Sequence, residues 1–300
     1  MKPSVTPLRY PGGKTWLLPY IKKFVEFHNI PKGIIIEPFA GSGSVTIGLL
    51  SEGIMERGII CEKDPIIVAF WKSALHNNEE FRESLQNLEV NIDTWWEYKK
   101  YLKPDAANIY DQIEIATAFL FYNRVNYSGI LKAGPIGGKL QKSQYTIACR
   151  FNKDRISKKL ARLADFAERI EVIEGNGISL IEKLKEKEKE QNYFFYIDPP
   201  YFKAGKVLYR DYFNEDEHVE LSNVVKSLTS PWLVSYDEND FIYNLYNGSE
   251  NQYVFTDYQA GNLRRGVKEM LFSNRKIPPI EGTSKKEITP EKVEGISSTV

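Results

Sequence analysis

Gly33-Ile34-Ile35-Ile36-Glu37-Pro38-Phe39-Ala40-Gly41-Ser42-Gly43-Ser44 is the stretch from which the fold is read. A short β-branched run stopped by proline reads as a buried parallel strand. The glycine-bearing turn after it opens a helix from Val45 to Glu52, and Ile59-Ile60-Cys61-Glu62 is a second apolar run that ends on an acid. Together they form a β-loop-α-β unit. Further strands follow at Ile170–Ile173, Tyr193–Ile197, Trp232–Tyr236 and Met270–Phe272. Helical spacing appears at about 15–28, 152–169 and 215–228. Strands alternating with helices imply an α/β fold with a mostly parallel sheet.

The stretch 71–164 breaks this rhythm. It is helical and aromatic to about Tyr122, then glycine-rich and aperiodic over 129–149, where loops or a small hairpin are expected. We read it as an inserted subdomain, with 1–70 and 165–277 forming one discontinuous domain. The run Leu180–Gln191 reads as an exposed helix end or loop. Residues 278–300, rich in Glu, Lys, Ser, Thr and Pro, read as a disordered tail.

At 300 residues the chain can bury a substantial core. Its 42% hydrophobic and 27% charged content excludes a fibrous, coiled-coil or wholly disordered protein. Two cysteines, Cys61 and Cys149, exclude a disulfide scaffold. No apolar run reaches the ~20 residues of a membrane span, and the first residues lack a signal-peptide stretch. A cytoplasmic protein with reduced thiols is expected. Forty basic and forty acidic residues sum to zero charge, which by itself gives no hint of nucleic acid. Residues 121–170 differ, with eleven basic and three acidic side chains. A local excess of this kind favours phosphate contact.

Three segments carry chemistry. Gly41-x-Gly43 is an incomplete dinucleotide fingerprint, because position 46 is Thr. Glu62 lies about 20 residues on, where an acid binds ribose hydroxyls, so an adenosine-bearing cofactor is implied; Asp64 could share that role. Pro11-Gly12-Gly13-Lys14 lacks phosphate-loop spacing and has no strand before it. Asp198-Pro199-Pro200-Tyr201 ends a buried strand, where open α/β sheets place ligands. Its prolines remove two N–H donors and leave an acceptor-rich edge, the Asp198 carboxylate and the Pro199 carbonyl, beside a phenol. Such an edge suits a conjugated exocyclic amine. Drawing its hydrogens out of plane localises the lone pair and stabilises the transition state over the ground state.

With these motifs in place the chain resembles the Dam-type (D12 class, alpha group) DNA adenine-N6 methyltransferases. Tyr10-Pro11-Gly12-Gly13-Lys14, Glu37–Ser44, Asn123-Arg124-Val125-Asn126-Tyr127-Ser128-Gly129 and Asp198–Tyr201 match its motifs in order, across residues 6 to 276. The resemblance implies a Rossmann-like class I methyltransferase sheet, with 71–164 as a mainly helical target-recognition subdomain. It implies S-adenosylmethionine as cofactor, lined by Tyr10, Lys14, Phe39, Ala40, Gly41, Gly43, Glu62, Asn176 and Asp198. No metal is expected. Double-stranded DNA is the implied partner, a cognate restriction endonuclease encoded elsewhere is compatible with the resemblance, and a monomer suffices to flip one base. Asp198, Pro199, Pro200 and Tyr201 are the expected catalytic set, with Tyr201 stacked on a flipped adenine. Direct transfer requires no cysteine.

For DNA, Arg124 is the expected base reader and Tyr127 the wedge, with Asn126, Lys132 and Lys139 nearby. Asn262-Leu263-Arg264-Arg265 is expected to be a basic loop clamping phosphate. Ile130–Gly138 departs from the segment of GATC-methylating relatives, so the resemblance does not carry GATC as the target. Rival readings are an RNA-base or protein-glutamine N-methyltransferase, a silent DNA-binding relative, and a base deaminase suggested by His218-Val219-Glu220. The last lacks the companion Pro-Cys-x-x-Cys, and His218 is expected at a helix start or on the surface.

Overall fold

The computed structural model describes residues 6–9, 13–203, 205–208, 210–260 and 263–279, without the side chains of 206, 207 and 255–268. The strands are β1 (Ile34–Glu37), β2 (Arg57–Glu62), β3 (Ile170–Glu174), β4 (Tyr193–Ile197), β5 (Trp232–Asp237), β6 (Glu250–Ala260) and β7 (Leu263–Ser273). They form one sheet in the order β3-β2-β1-β4-β5-β7-β6. The first five pair in parallel and β7 is antiparallel to both neighbours. This is the Rossmann-like methyltransferase sheet.

Side-chain alternation builds two cores. Ile35, Ile60, Phe194, Tyr196, Leu233 and Leu271 face one layer, and Ile36, Cys61, Phe195, Ile197, Val234 and Phe272 face the other. Both faces are covered, so the central strands β1, β4 and β5 read as nearly continuous apolar runs. The first layer includes the helices Leu18–Phe27, Ser44–Ser51 and Pro65–His76, and the second Gly177–Lys185, Glu215–Lys226 and Asp240–Leu245.

The helices of 71–164 extend the first layer. Pro65–His76 runs through residue 71, and Gln112–Val125, closed at its start by a reciprocal Asp111/Glu114 capping box, buries Phe119 and Phe121 in the same core as Phe24 and Phe194. Residues 129–149 carry a short 3₁₀ turn and a single bridge, Asn126 to Pro135, as the glycines imply.

The charge run from Leu180 is the end of the helix Gly177–Lys185 and the turn after it, with Leu180, Ile181 and Leu184 buried and the charges facing out. His218 lies in the first turn of the helix Glu215–Lys226, as expected, but is buried; its Nδ1 is 2.8 Å from the Tyr236 hydroxyl. The expected loop at Arg264-Arg265 is strand: β6 and β7 stay paired to Ala260 and Leu263, past the last β5 pair, Asp237–Glu269. Residues 261–262, the two arginine side chains, Tyr10 and the tail from 280 lie outside the described parts.

Candidate active site

The turn after β1 is tied down on all sides. Gly41 and Gly43 take φ values of 46° and 56°, a left-handed geometry that glycine adopts without strain. Ala40 N donates to Cys61 O, Gly43 N to Ala40 O, and the Trp71 indole to Gly41 O at 3.0 Å. A Cβ on Gly43 would lie 2.6 Å from the Trp71 ring. Gly43 therefore shapes the turn from beneath and does not line the cleft.

The cleft lies at the carboxyl ends of β1, β2 and β4 and is open at its mouth. Lys14, Phe39, Ala40, Gly41, Glu62, Asn176 and Asp198 line it. Phe39 and Phe213 meet edge to face, 5.4 Å between centroids. Arg210 holds Asp64 at 3.1 Å. Asn176 caps the helix Gly177–Lys185, its Oδ1 accepting from Ile178 N at 2.7 Å and Ser179 N at 3.4 Å.

Glu62 accepts main-chain N–H bonds from Gly41 (3.2 Å), Lys63 (2.9 Å) and Asp64 (3.2 Å). Burial nonetheless raises its carboxyl to about 7, with Asp64 adding to the shift. Glu37, at the end of β1, is likewise raised to about 7 by burial, and Thr46 donates to it through N (3.0 Å) and Oγ1 (2.6 Å).

The second half of the site follows from strand parity. Tyr196 and Asp198 share a face of β4, Ser235 lies on the same face of β5, and Glu269 on that of β7. Into their midst comes Lys14, 2% exposed. Its Nζ lies 2.8 Å from Asp198 Oδ1 and 3.4 Å from Glu269 Oε1, and donates to the Tyr201 hydroxyl at 2.8 Å. Tyr201 in turn donates to Glu269 Oε1 at 2.7 Å. Ser235 Oγ donates to Asp198 Oδ1 at 2.9 Å, so the Tyr196 hydroxyl, 2.9 Å from Ser235 Oγ, is the donor there. Burial raises Asp198 to about 6; Lys14 opposes the shift and Glu269 adds to it.

Lys14 thus both lines the cleft and is bound to the Asp-Pro-Pro-Tyr motif. Tyr201, expected to stack on the base, has its hydroxyl committed to Lys14 and Glu269, with the ammonium 4.8 Å from its ring centroid. Glu269 escaped sequence reading altogether. The signal was an acid directly before the apolar run Met270-Leu271-Phe272.

The expected DNA set divides. Tyr127, Lys132 and Lys139 are exposed. Arg124 is not free: its guanidinium donates to Arg150 O (3.0 and 2.6 Å) and Pro7 O (3.1 Å). Asn126 is fully buried, accepting from the Trp95 indole at 2.8 Å and donating to Ile130 O and Leu131 O. Lys159 donates to Thr6 O at 2.8 Å. Asn123 brackets Arg9, accepting from its N and donating to its O, both at 2.8 Å. These residues fasten the segment that leads to Lys14 onto the helical layer.

A sheet of this order, with an acceptor-rich Asp-Pro-Pro-Tyr edge at a cleft that an acid and aromatic rings line, has the parts of an S-adenosylmethionine-dependent methyltransferase. Residues 10–259 match the family model of the D12 class N6 adenine-specific DNA methyltransferases, and the chain belongs to that family. It is 23% identical over 268 residues to the type II methyltransferase M.CviBI of Paramecium bursaria Chlorella virus NC1A, covering 86% of this chain and 90% of that one. It is 23% identical over 298 residues to M.MjaIII of Methanocaldococcus jannaschii, covering 89% and 98%. A solved SAM-dependent methyltransferase from Agrobacterium tumefaciens aligns at 9% identity and TM-score 0.41, over 87% of this chain and 62% of that one.

The lining suits S-adenosylmethionine: Glu62 offers acceptors for hydroxyls, Phe39 and Phe213 offer flat apolar faces, and Asp198 stands where cleft and amine seat meet. Hydroxyls donate to the ionised form of Glu62, so cofactor affinity should hold above about pH 7 and fall as pH drops below it. The limiting fall is about tenfold per pH unit. Calorimetric titration from pH 8 to 5.5 reads this. Glu62→Gln should bind weakly at pH 8 with a flatter profile; an unchanged slope in that variant would remove Glu62 from the cofactor's hydroxyls.

Proposed function

We propose that the chain methylates N6 of an adenine flipped out of duplex DNA, by direct in-line transfer without a covalent enzyme intermediate. Asp198 and the Pro199 carbonyl hold the amine, Pro200 stiffens the loop and Tyr201 flanks the base. The observation that carries this reading is Lys14. A nitrogen donor already sits 2.8 Å from Asp198 Oδ1 and 4.8 Å from the Tyr201 ring centroid, a seat suited to an exocyclic amine. Lys14 must swing away before a base enters.

The bound cofactor supplies an electrophilic methyl group. Asp198 draws on the amine hydrogens, is oriented by Ser235, and is the nearest base for the proton that N6 sheds. Buried Tyr196 and Glu269 hold the arrangement without reorganisation during reaction. Tyr127 is the wedge, while Lys132, Lys139, Arg264 and Arg265 meet phosphate. Arg124 and Asn126 act by positioning the recognition segment. We place the enzyme in the cytoplasm as a monomer that marks DNA.

Mapping N6-methyladenine by sequencing in a host expressing this chain tests the activity and yields the site. A duplex with 2-aminopurine at the mapped position should then brighten on binding, as the base leaves the stack. Methyl label on RNA or protein with none on duplex DNA would overturn the reading.

A further inference from the structure

The helix Ile92–Glu97 and the turn Tyr98–Leu102 after it carry an exposed aromatic that the family motifs do not use. Trp96 is 46% exposed. Its neighbour Trp95 is buried and stands edge to face with it, centroids 4.8 Å apart. Two ammonium groups gather on this pair. Lys99 Nζ lies 4.0 Å from the Trp96 ring centroid and 4.5 Å from that of Trp95, and Lys139 Nζ lies 5.5 Å from Trp96. Lys139 comes from the glycine-rich loop, more than forty residues away in sequence.

Neither Lys99 nor Lys139 has an ion-pair partner among the described residues, whereas adjacent Lys100 pairs with Glu97 at 3.9 Å. Two like charges drawn to one exposed ring without a counter-ion make a site for an anion. Ring faces attract ammonium groups, so the indole pre-positions two flexible side chains and lowers the entropy lost when they grip a ligand.

The position of the cluster says which anion. Trp95 is tied through its indole to Asn126, the residue before exposed Tyr127. Leu102 O accepts from Arg210, a cleft-lining residue, at 2.9 Å. The segment thus bridges the recognition loop and the cofactor cleft. Base stacking fits less well, since Lys99 already occupies a face of the ring.

We propose that Trp96, Lys99 and Lys139 form a clamp for a backbone phosphate of the DNA next to the flipped base. The proposal rests on the DNA reading above. Its test is the affinity of the full-length protein, saturated with S-adenosylhomocysteine, for a fluorescein-labelled duplex across a salt series. Each neutralised phosphate contributes about 0.9 to the slope of log affinity against log salt.

The double variant Lys99→Gln/Lys139→Gln should lose about that much slope and bind about five- to tenfold more weakly at low salt. The corresponding Lys→Arg pair should retain the slope, and Trp96→Ala should lose part of it. An unchanged slope in the Gln pair would overturn the clamp. So would weakened binding by Trp96→Ala at full slope, which would make the indole a base-stacking platform. A wild-type protein with no salt-dependent duplex binding would instead remove the DNA reading itself. Cofactor affinity in each variant reports that the fold is intact.

Discussion

Asp198→Asn is expected to lower single-turnover methyl transfer to duplex DNA by about 10³-fold. The substitution is nearly isosteric. Asn can still accept from Ser235, and Lys14 keeps Glu269 as a counter-charge, so folding and melting temperature should change little. What is lost is the negative charge that draws hydrogen from the amine and receives its proton. The ionised carboxylate is the working form, so activity should also fall as pH drops through about 6, the value to which burial raises Asp198. Removing the second carboxylate with Glu269→Gln should move that acid limb to lower pH, because Glu269 is one of the groups holding Asp198 up. Rates come from transfer of labelled methyl groups under enzyme excess. A variant within tenfold of wild type, with its acid limb in place, would take Asp198 out of the chemistry.

The sheet was legible because its information is local. Buried parallel strands are short apolar runs, and β1, β2, β3, β4 and β5 each carry one, as does the end of β7. The strand that escaped reading, β6, is the sheet's edge and reads Glu250-Asn251-Gln252-Tyr253-Val254 at its start. An edge strand keeps one side towards water, so polar residues interrupt the pattern. The cofactor side of the site was legible for a similar reason, since strand, turn and helix are consecutive in sequence.

The amine seat was only half legible. Asp198 and Tyr201 announce themselves in four residues, but Glu269 joins them only because β7 returns antiparallel beside β5 and sets Glu269 opposite Asp237. The use of charge was least legible. The basic excess over 121–170 is real, yet Arg124, Lys153, Lys159 and Arg169 direct their donors to main-chain carbonyls. Composition records the sign of a side chain and not whether a carbonyl has already claimed it. Trp96 and Lys99 lie outside the basic stretch, and only packing brings Lys139 to them.

The strongest consequence for stability falls on Lys14. Burial alone would lower the pKa of this ammonium, but Asp198 and then Glu269 outweigh it and hold the group charged, well above its usual range. Lys14→Met, which keeps the volume and removes the charge, leaves Asp198 and Glu269 as buried carboxylates without a cation. Breaking a buried pair from one side costs about 3–5 kcal/mol, so urea unfolding at pH 8 should show a loss of that order. The sign of the pH dependence follows. Burial already holds Asp198 above its unfolded value, and Lys14 is the largest group opposing that rise, so without it the loss is greatest at high pH and shrinks as pH falls and Asp198 takes up a proton. Lys14→Met/Glu269→Gln should recover much of the stability at pH 8, leaving one carboxylate held by Ser235. A Lys14→Met protein equally stable relative to wild type at pH 5 and pH 8 would show that the lysine does not neutralise the pair. The ammonium would then be no stand-in for the amine that the site is built to hold.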